Sequence, residues 1–145
     1  MALTVHLAPI AVAPRWQRMV APALTVGGLG AATLALHLRD PHEAGSWGLC
    51  PSAMLGIWCP GCGGLRAVND LTDFRLADAA SSNLVFVLAL PFILFVLGRW
   101  VVDEWRGTTR VPHPRTTRLL ATGAVTTLVA FTVLRNLPWF GWLAP

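Results

Sequence analysis

The order of apolar and polar positions divides the chain into three long apolar runs and two intervening stretches of different character. Residues 20–38 form nineteen positions without a formal charge, enough at 1.5 Å per residue to cross about 30 Å of hydrocarbon. Residues 84–102 form a second run in which Arg99 is the one charge and Pro91 interrupts the helical pattern as a packed kink. Residues 119–137 form the third, with Arg135 near its end. Between the first two runs, Leu65, Val68, Leu71 and Thr72 recur at helical spacing opposite Arg66, Asn69, Asp70 and Asp73. That pattern predicts an amphipathic helix lying on the membrane and continuing after Phe74 through Leu76, Ala77 and Ala80, with Ser82 or Asn83 capping the next span. The expected fold is therefore all-α: a polytopic membrane protein with three transmembrane helices and an amphipathic interfacial helix that follows a Cys-x-x-Cys turn. Residues 1–19 are read as an N-terminal arm, and 39–83 as the cysteine-containing loop with its interfacial helix.

Composition agrees with lipid as the main solvent. Of 145 residues, 54% are hydrophobic and 12% charged, with mean hydropathy +0.58, where a soluble domain carries about 25% charged residues. The net charge of +4 comes from arginines that flank the apolar runs rather than forming one basic surface, which argues against nucleic acid as a partner. Arg15 and Arg18 precede the first span, and Arg99, Arg106, Arg110, Arg115 and Arg118 lie between the second and third. Against these stand Arg39, Arg66 and Arg75 in the first loop and Arg135 near the C-terminus. By the positive-inside rule the N-terminus and second loop face the cytoplasm, and the cysteine loop and C-terminus face out, across the cell membrane. Trp16, Trp100 and Trp105 then mark the inner interface, and Trp47, Trp58, Trp139 and Trp142 the outer one. The first charges fall at Arg15 and Arg18, so the opening residues do not read as a cleaved secretory signal. Gly27, Gly28, Gly30, Ala31 and Ala32 place small residues where another helix can approach the first span.

The candidate chemistry is concentrated in Trp58-Cys59-Pro60-Gly61-Cys62-Gly63-Gly64-Leu65-Arg66. Two thiols at i and i+3, with a Pro between them and glycines after, make a turn that aims both sulfurs at one place. Such a turn is half of a zinc knuckle; Cys50 with His42 or His37 would complete a set with Cys59 and Cys62, and zinc is the metal this set would suit. No second Cys-x-x-Cys is present. Outside the cytoplasm the alternative is a disulfide, Cys59 with Cys62 or Cys50 with either, which leaves one thiol over. A helix beginning near Cys62 would place its N–H groups beside the sulfurs and favour thiolate. Arg66 and Asp70 at i, i+4 read as a solvated surface pair, and Asp70, Asp73 and Asp78 as the helix's wet face.

Cys59-Pro60-Gly61-Cys62-Gly63, then Arg66-Ala67, Leu71, Phe74-Arg75, Ala77, Ala79-Ala80 and Asn83 before an apolar helix, resembles a family of small bacterial membrane proteins. These carry a domain of unknown function with a Cys-Pro-x-Cys-Gly-x-Thr-Arg signature. The resemblance covers roughly residues 46–100. The chain departs from it at Leu65, where Thr is usual, and at Leu84, where Pro commonly follows the Asn. It implies the membrane architecture and singles out Cys59, Cys62, Arg66 and Asn83 without giving them a chemistry.

Two functions of different kinds are consistent with these residues. In one, the protein is a structural or accessory subunit of a membrane assembly, partnered by another membrane protein or by further copies of itself, and a disulfide or metal staples the Cys50, Cys59 and Cys62 loop. In the other, it is a membrane-bound thiol redox or metal-dependent enzyme using Cys59 or Cys62 with Arg66. That second reading lacks a visible base, since His37 and His42 sit at the end of span one. A transporter is disfavoured, because three spans without buried charge give no substrate path.

Overall fold

The computed structural model describes residues 13–43, 51–108 and 113–143. Among them there is no strand, and the helices are α1 (Arg15–Leu38), α2 (Pro51–Met54), α3 (Gly64–Thr72), α4 (Leu76–Arg106) and α5 (Pro114–Arg135), followed by a 3-10 turn at Pro138–Leu143. α1, α4 and α5 are each long and apolar enough to cross a membrane. Their mean hydropathies are 1.7, 2.4 and 1.5, and their apolar side chains are largely exposed, as a surface solvated by lipid requires. The interior inverts the arrangement of a soluble core. Leu36, Cys62, Ala67, Ala79, Phe131 and Leu143, with Pro22 and Pro41, are buried beside Asn69, Asp70, Ser82, Asn83 and Arg135, so polar residues are five of the thirteen that the described fold encloses.

α1 starts five residues before the apolar run, at Arg15 directly after Pro14, because Arg, Trp and Gln are acceptable helix formers wherever their heads reach solvent. It ends where Arg39 turns extended ahead of Asp40-Pro41. α4 ends at Gly107, whose φ of +72° lets the Thr108 N–H reach back to the Asp103 carbonyl. Arg18 of α1 rests its guanidinium where a side chain at position 107 would stand, a flexible head that can give way, so it is the dihedral angle that calls for glycine at that site. On the same end of the molecule Arg15 stacks 4.7 Å from the Trp105 ring centroid. α5 begins with Pro114 at its first position, capped by His113, whose Nδ1 accepts from the Arg115 N–H at 3.2 Å.

Three expectations change. The segment after Phe74 is the first part of α4 and not a continuation of the preceding helix. α3 stops at Thr72, and Phe74 takes φ of +60°, a left-handed conformation that swings the chain round into α4. The break in the long helix is at Asn83 (φ −157°, ψ 89°) rather than at Pro91, which is exposed and keeps helical dihedral angles. Among the described residues nothing comes within 4 Å of where a side chain at Gly27, Gly28 or Gly30 would begin, so no described helix packs on that face of α1.

α3 lies against the first turns of α4 and the end of α1. Ala67 and Ala79, both fully enclosed, mark the close approach of α3 to α4. The C-terminal ends of α1 and α5, the N-terminal end of α4 and the cysteine loop therefore gather at one end of the molecule.

Candidate functional site

The loop from Trp58 to Gly63 is held by its own turns and by side chains from two spans. The Cys62 N–H donates to the Cys59 carbonyl at 3.1 Å and the Gly64 N–H to that of Gly61 at 3.0 Å. Gly63, at φ +77°, lets the chain enter α3, whose first turn then closes from the Ala67 N–H to the Gly63 carbonyl.

From α4, Asn83 reaches in with both ends of its amide. Its Nδ2 donates to the carbonyls of Pro60 (2.9 Å) and Cys62 (3.2 Å), and its Oδ1 accepts from the Phe86 N–H at 3.0 Å. The extended backbone at Asn83 makes this possible, since an N-cap residue leaves the helix so that its side chain can bond the third N–H beyond it. From α5, Arg135 donates through Nη1 to the carbonyls of Cys59 (2.8 Å) and Cys62 (3.1 Å). Asn136 clamps Trp58 at two points, accepting its N–H and donating to its carbonyl, both at 2.9 Å. The carbonyls of residues 58, 59, 60 and 62 are all engaged, which is what a turn buried among helix ends requires.

This places the two sulfurs 3.1 Å apart, with Cys62 buried and Cys59 partly exposed. The Ser52 hydroxyl is 3.7 Å from the Cys62 sulfur. Hydrogen bonding from the Ser52 side chain, then from the Cys62 thiol, with smaller help from the Gly61 and Cys62 N–H groups, holds the Cys59 thiol below the ordinary cysteine range despite its partial burial. A depressed thiol is stabilised as thiolate in the fold. The associated stability is present above the unfolded cysteine value and is lost as pH falls through the folded one. In a Cys50→Ser background, the pH midpoint for iodoacetamide alkylation of Cys59 is expected below that of an unstructured cysteine peptide. An equal or higher midpoint would contradict this arrangement.

In the sequence Arg135 is a charge near a span end; in the structure it is one of the most enclosed side chains among the described residues, 2% exposed. It stacks 4.7 Å from the Phe131 ring centroid, and its Nε and Nη2 are buried without a hydrogen-bond partner among the described residues. No carboxylate pairs with it among the described residues. The available signal was an arginine ending an apolar run with no acid near it in sequence.

A second polar knot lies on the α1 side. Asp70, fully enclosed, faces Arg75 Nη2 at 2.9 Å, accepts from the Ser82 hydroxyl at 3.1 Å and has His42 Nε2 3.6 Å away. Asn69 donates to the Leu36 carbonyl at 2.9 Å and accepts from Arg75 at 3.3 Å. The expectation that Asp70 lies on a wet face beside Arg66 is thereby corrected: the left-handed turn at Phe74 folds Arg75 back over it. Burying this charge also qualifies the expectation of a fold without buried charge.

Arg66 makes no hydrogen bond or ion pair among the described residues. Both histidines serve the second knot. His37 Nδ1 lies 3.0 Å from the Thr72 hydroxyl and 3.3 Å from Asp73, and His42 Nδ1 lies 2.7 Å from Asp40. The backbone and ring bonds from His42 hold the Asp40 carboxyl below its usual range. Cys50 lies outside the described residues.

Among the described residues no three of His, Cys, Asp or Glu converge on a point. Tetrahedral zinc, with Zn–S bonds of about 2.3 Å, would hold two sulfurs about 3.8 Å apart, wider than the present separation. The site thus unites Cys59, Cys62 and Asn83 from the sequence expectation with Arg135 and Asn136 from outside it, and leaves His42 and Arg66 apart.

Comparison with curated proteins and with solved structures gave no match. Residues 50–97, which carry the cysteine loop, α3 and most of α4, are similar to a family described as a protein of unknown function (DUF2752).

Proposed function

We propose that this protein is a multi-pass component of the cell membrane that serves a membrane assembly as a structural or accessory subunit, its Cys59–Cys62 loop acting as a convertible staple on the outer face. The observation that carries the reading is the convergence of Asn83, Arg135 and Asn136 on the loop backbone, which spends side chains from two spans on holding a turn in place. Two sulfurs 3.1 Å apart need only a small approach to bond, so oxidation locks the turn without moving the helix ends. α3, amphipathic and tied to α1 through Asn69, lies along the membrane surface beside it. Orientation rests on the arginines: Arg15, Arg18, Arg99 and Arg106 lie toward the end away from the loop. The open glycine face of α1 suits a membrane-protein partner or a second copy of this chain.

The test is a thiol and metal count on the full chain purified in detergent. Mild oxidation is expected to remove two thiols, which reduction restores, without stoichiometric metal. One zinc per chain, or three thiols unaffected by oxidation, would overturn the staple. On intact cells an impermeant maleimide is expected to reach Cys59 after reduction and to miss a cysteine placed at Thr108; the reverse pattern would invert the topology.

A further inference from the structure

We propose that Cys59 and Cys62 are a thiol–disulfide exchange couple, with Cys59 the attacking and Cys62 the resolving sulfur and Arg135 their buried counter-charge, acting on disulfide-bearing partners at that face. The inference deepens the staple reading and rests on it, since a pair that cannot form a disulfide cannot exchange one.

Three observations point the same way. The sulfurs differ in access: Cys59 is partly exposed, and Cys62 is enclosed behind it within 3.1 Å. A thiol that meets an outside disulfide must be reachable, and the one that releases the product must be shielded from the partner but in contact with the first. Second, Arg135 is 2% exposed, bonded to the carbonyls of both cysteines, and two of its nitrogens lack partners among the described residues. A guanidinium enclosed without a carboxylate is costly, and among the described residues the groups beside it that can become anionic are these two thiols. The dithiol state can supply that negative charge and the disulfide state cannot. Third, the loop backbone is fixed from both sides by Asn83 and Arg135, so the exchange alters the sulfurs and not the fold.

The reaction balances as follows. The Cys59 thiolate forms a bond to one sulfur of the partner's disulfide, whose S–S bond breaks, and the departing sulfur leaves as thiolate and takes a proton from water. Cys62 gives its proton to water and attacks the Cys59 sulfur. The Cys59–Cys62 bond forms, and the partner's second sulfur is released and protonated. Two electrons pass from this pair to the partner, whose disulfide becomes two thiols. In the reverse direction the pair receives them.

The probe is oxidised glutathione, used on the full chain in detergent with a Cys50→Ser background and mass spectrometry after acid quench. Cys62→Ser is expected to accumulate a stable glutathione adduct on Cys59, whereas Cys59→Ser reacts at Cys62 at least about tenfold more slowly. The protein with both thiols passes through the adduct to the internal disulfide. Arg135, as a positioning residue, is read by a glutathione redox titration and by the pH profile of Cys59 alkylation. Arg135→Met is expected to move the alkylation midpoint up by about one pH unit and slow exchange ~10-fold at neutral pH. Its internal disulfide should also become harder to reduce, and Arg135→Lys should keep most of the wild-type behaviour. Should Arg135→Met fail to fold, Arg135→Gln, which removes the charge and keeps a hydrogen-bond donor for the loop carbonyls, carries the same readouts: a raised midpoint supports the charge and a midpoint equal to wild type overturns it. Equal rates at the two sulfurs, or an adduct that never resolves, overturns the couple while leaving the staple standing. An absent internal disulfide under every oxidant overturns both.

Discussion

Asn83→Ala is expected to lower the stability of the protein in detergent by about 3 kcal/mol, roughly 1 from the lost helix cap and the rest from the Pro60 carbonyl left without its donor and the weakened hold on Cys62. The single amide makes three bonds: to the Pro60 and Cys62 carbonyls and from the Phe86 N–H. Replacing it by alanine leaves the Pro60 carbonyl without that donor, while the Cys62 carbonyl keeps Arg135. Asn83→Ser separates the two roles. A serine still caps α4 but does not span the loop, and its cost is expected to fall between wild type and alanine. Thermal unfolding followed by circular dichroism gives the ranking. Maleimide labelling of Cys62 supplies a second reading, since a released loop exposes the buried sulfur. An alanine variant that melts with the wild type, its Cys62 still protected, would show that this side chain does not hold the turn.

Arg75→Ala is expected to cost about 3 kcal/mol, and more than Asp70→Asn, although both remove the same ion pair. The asymmetry follows from burial. Asp70 is fully enclosed, while the Arg75 side chain is 44% exposed. Removing the arginine strands a carboxylate that water cannot reach, with Ser82 as its hydroxyl donor and the His42 ring 3.6 Å away. Removing the charge from Asp70 leaves an arginine head that solvent can serve, and an asparagine that still accepts from Ser82. The figure sits at the low end for breaking a buried pair, because the exposed guanidinium is already partly screened. Melting temperatures of the two variants in one detergent decide it; a larger loss for Asp70→Asn would place the carboxylate in contact with water.

Both sites lie where the apolar pattern gives way, which explains how far the chain could be read in advance. Long apolar runs with at most one charge identify α1, α4 and α5, because in lipid a backbone must satisfy its own hydrogen bonds and a helix of about twenty residues does so. The cysteine turn was legible from Pro60 and the glycines, and the cap at Asn83 from a polar residue ahead of an apolar run. The helix boundary at Phe74 was not, since a left-handed phenylalanine leaves no composition signal. Nor was the fate of Asp70, whose spacing from Arg66 suggested a surface pair until the turn brought Arg75 over it.

The sequence by itself determined that lipid is the solvent for three segments and that two thiols share one turn, because both follow from local periodicity and local backbone freedom. Only the tertiary structure decided which groups meet that turn: Arg135 and Asn136 lie more than seventy residues downstream of the residues they bond. It also drew His42 toward Asp70 rather than the sulfurs. Contacts of that kind depend on how helix ends gather at one face, and on which buried polar atom finds a partner there, neither of which a pattern along the chain encodes.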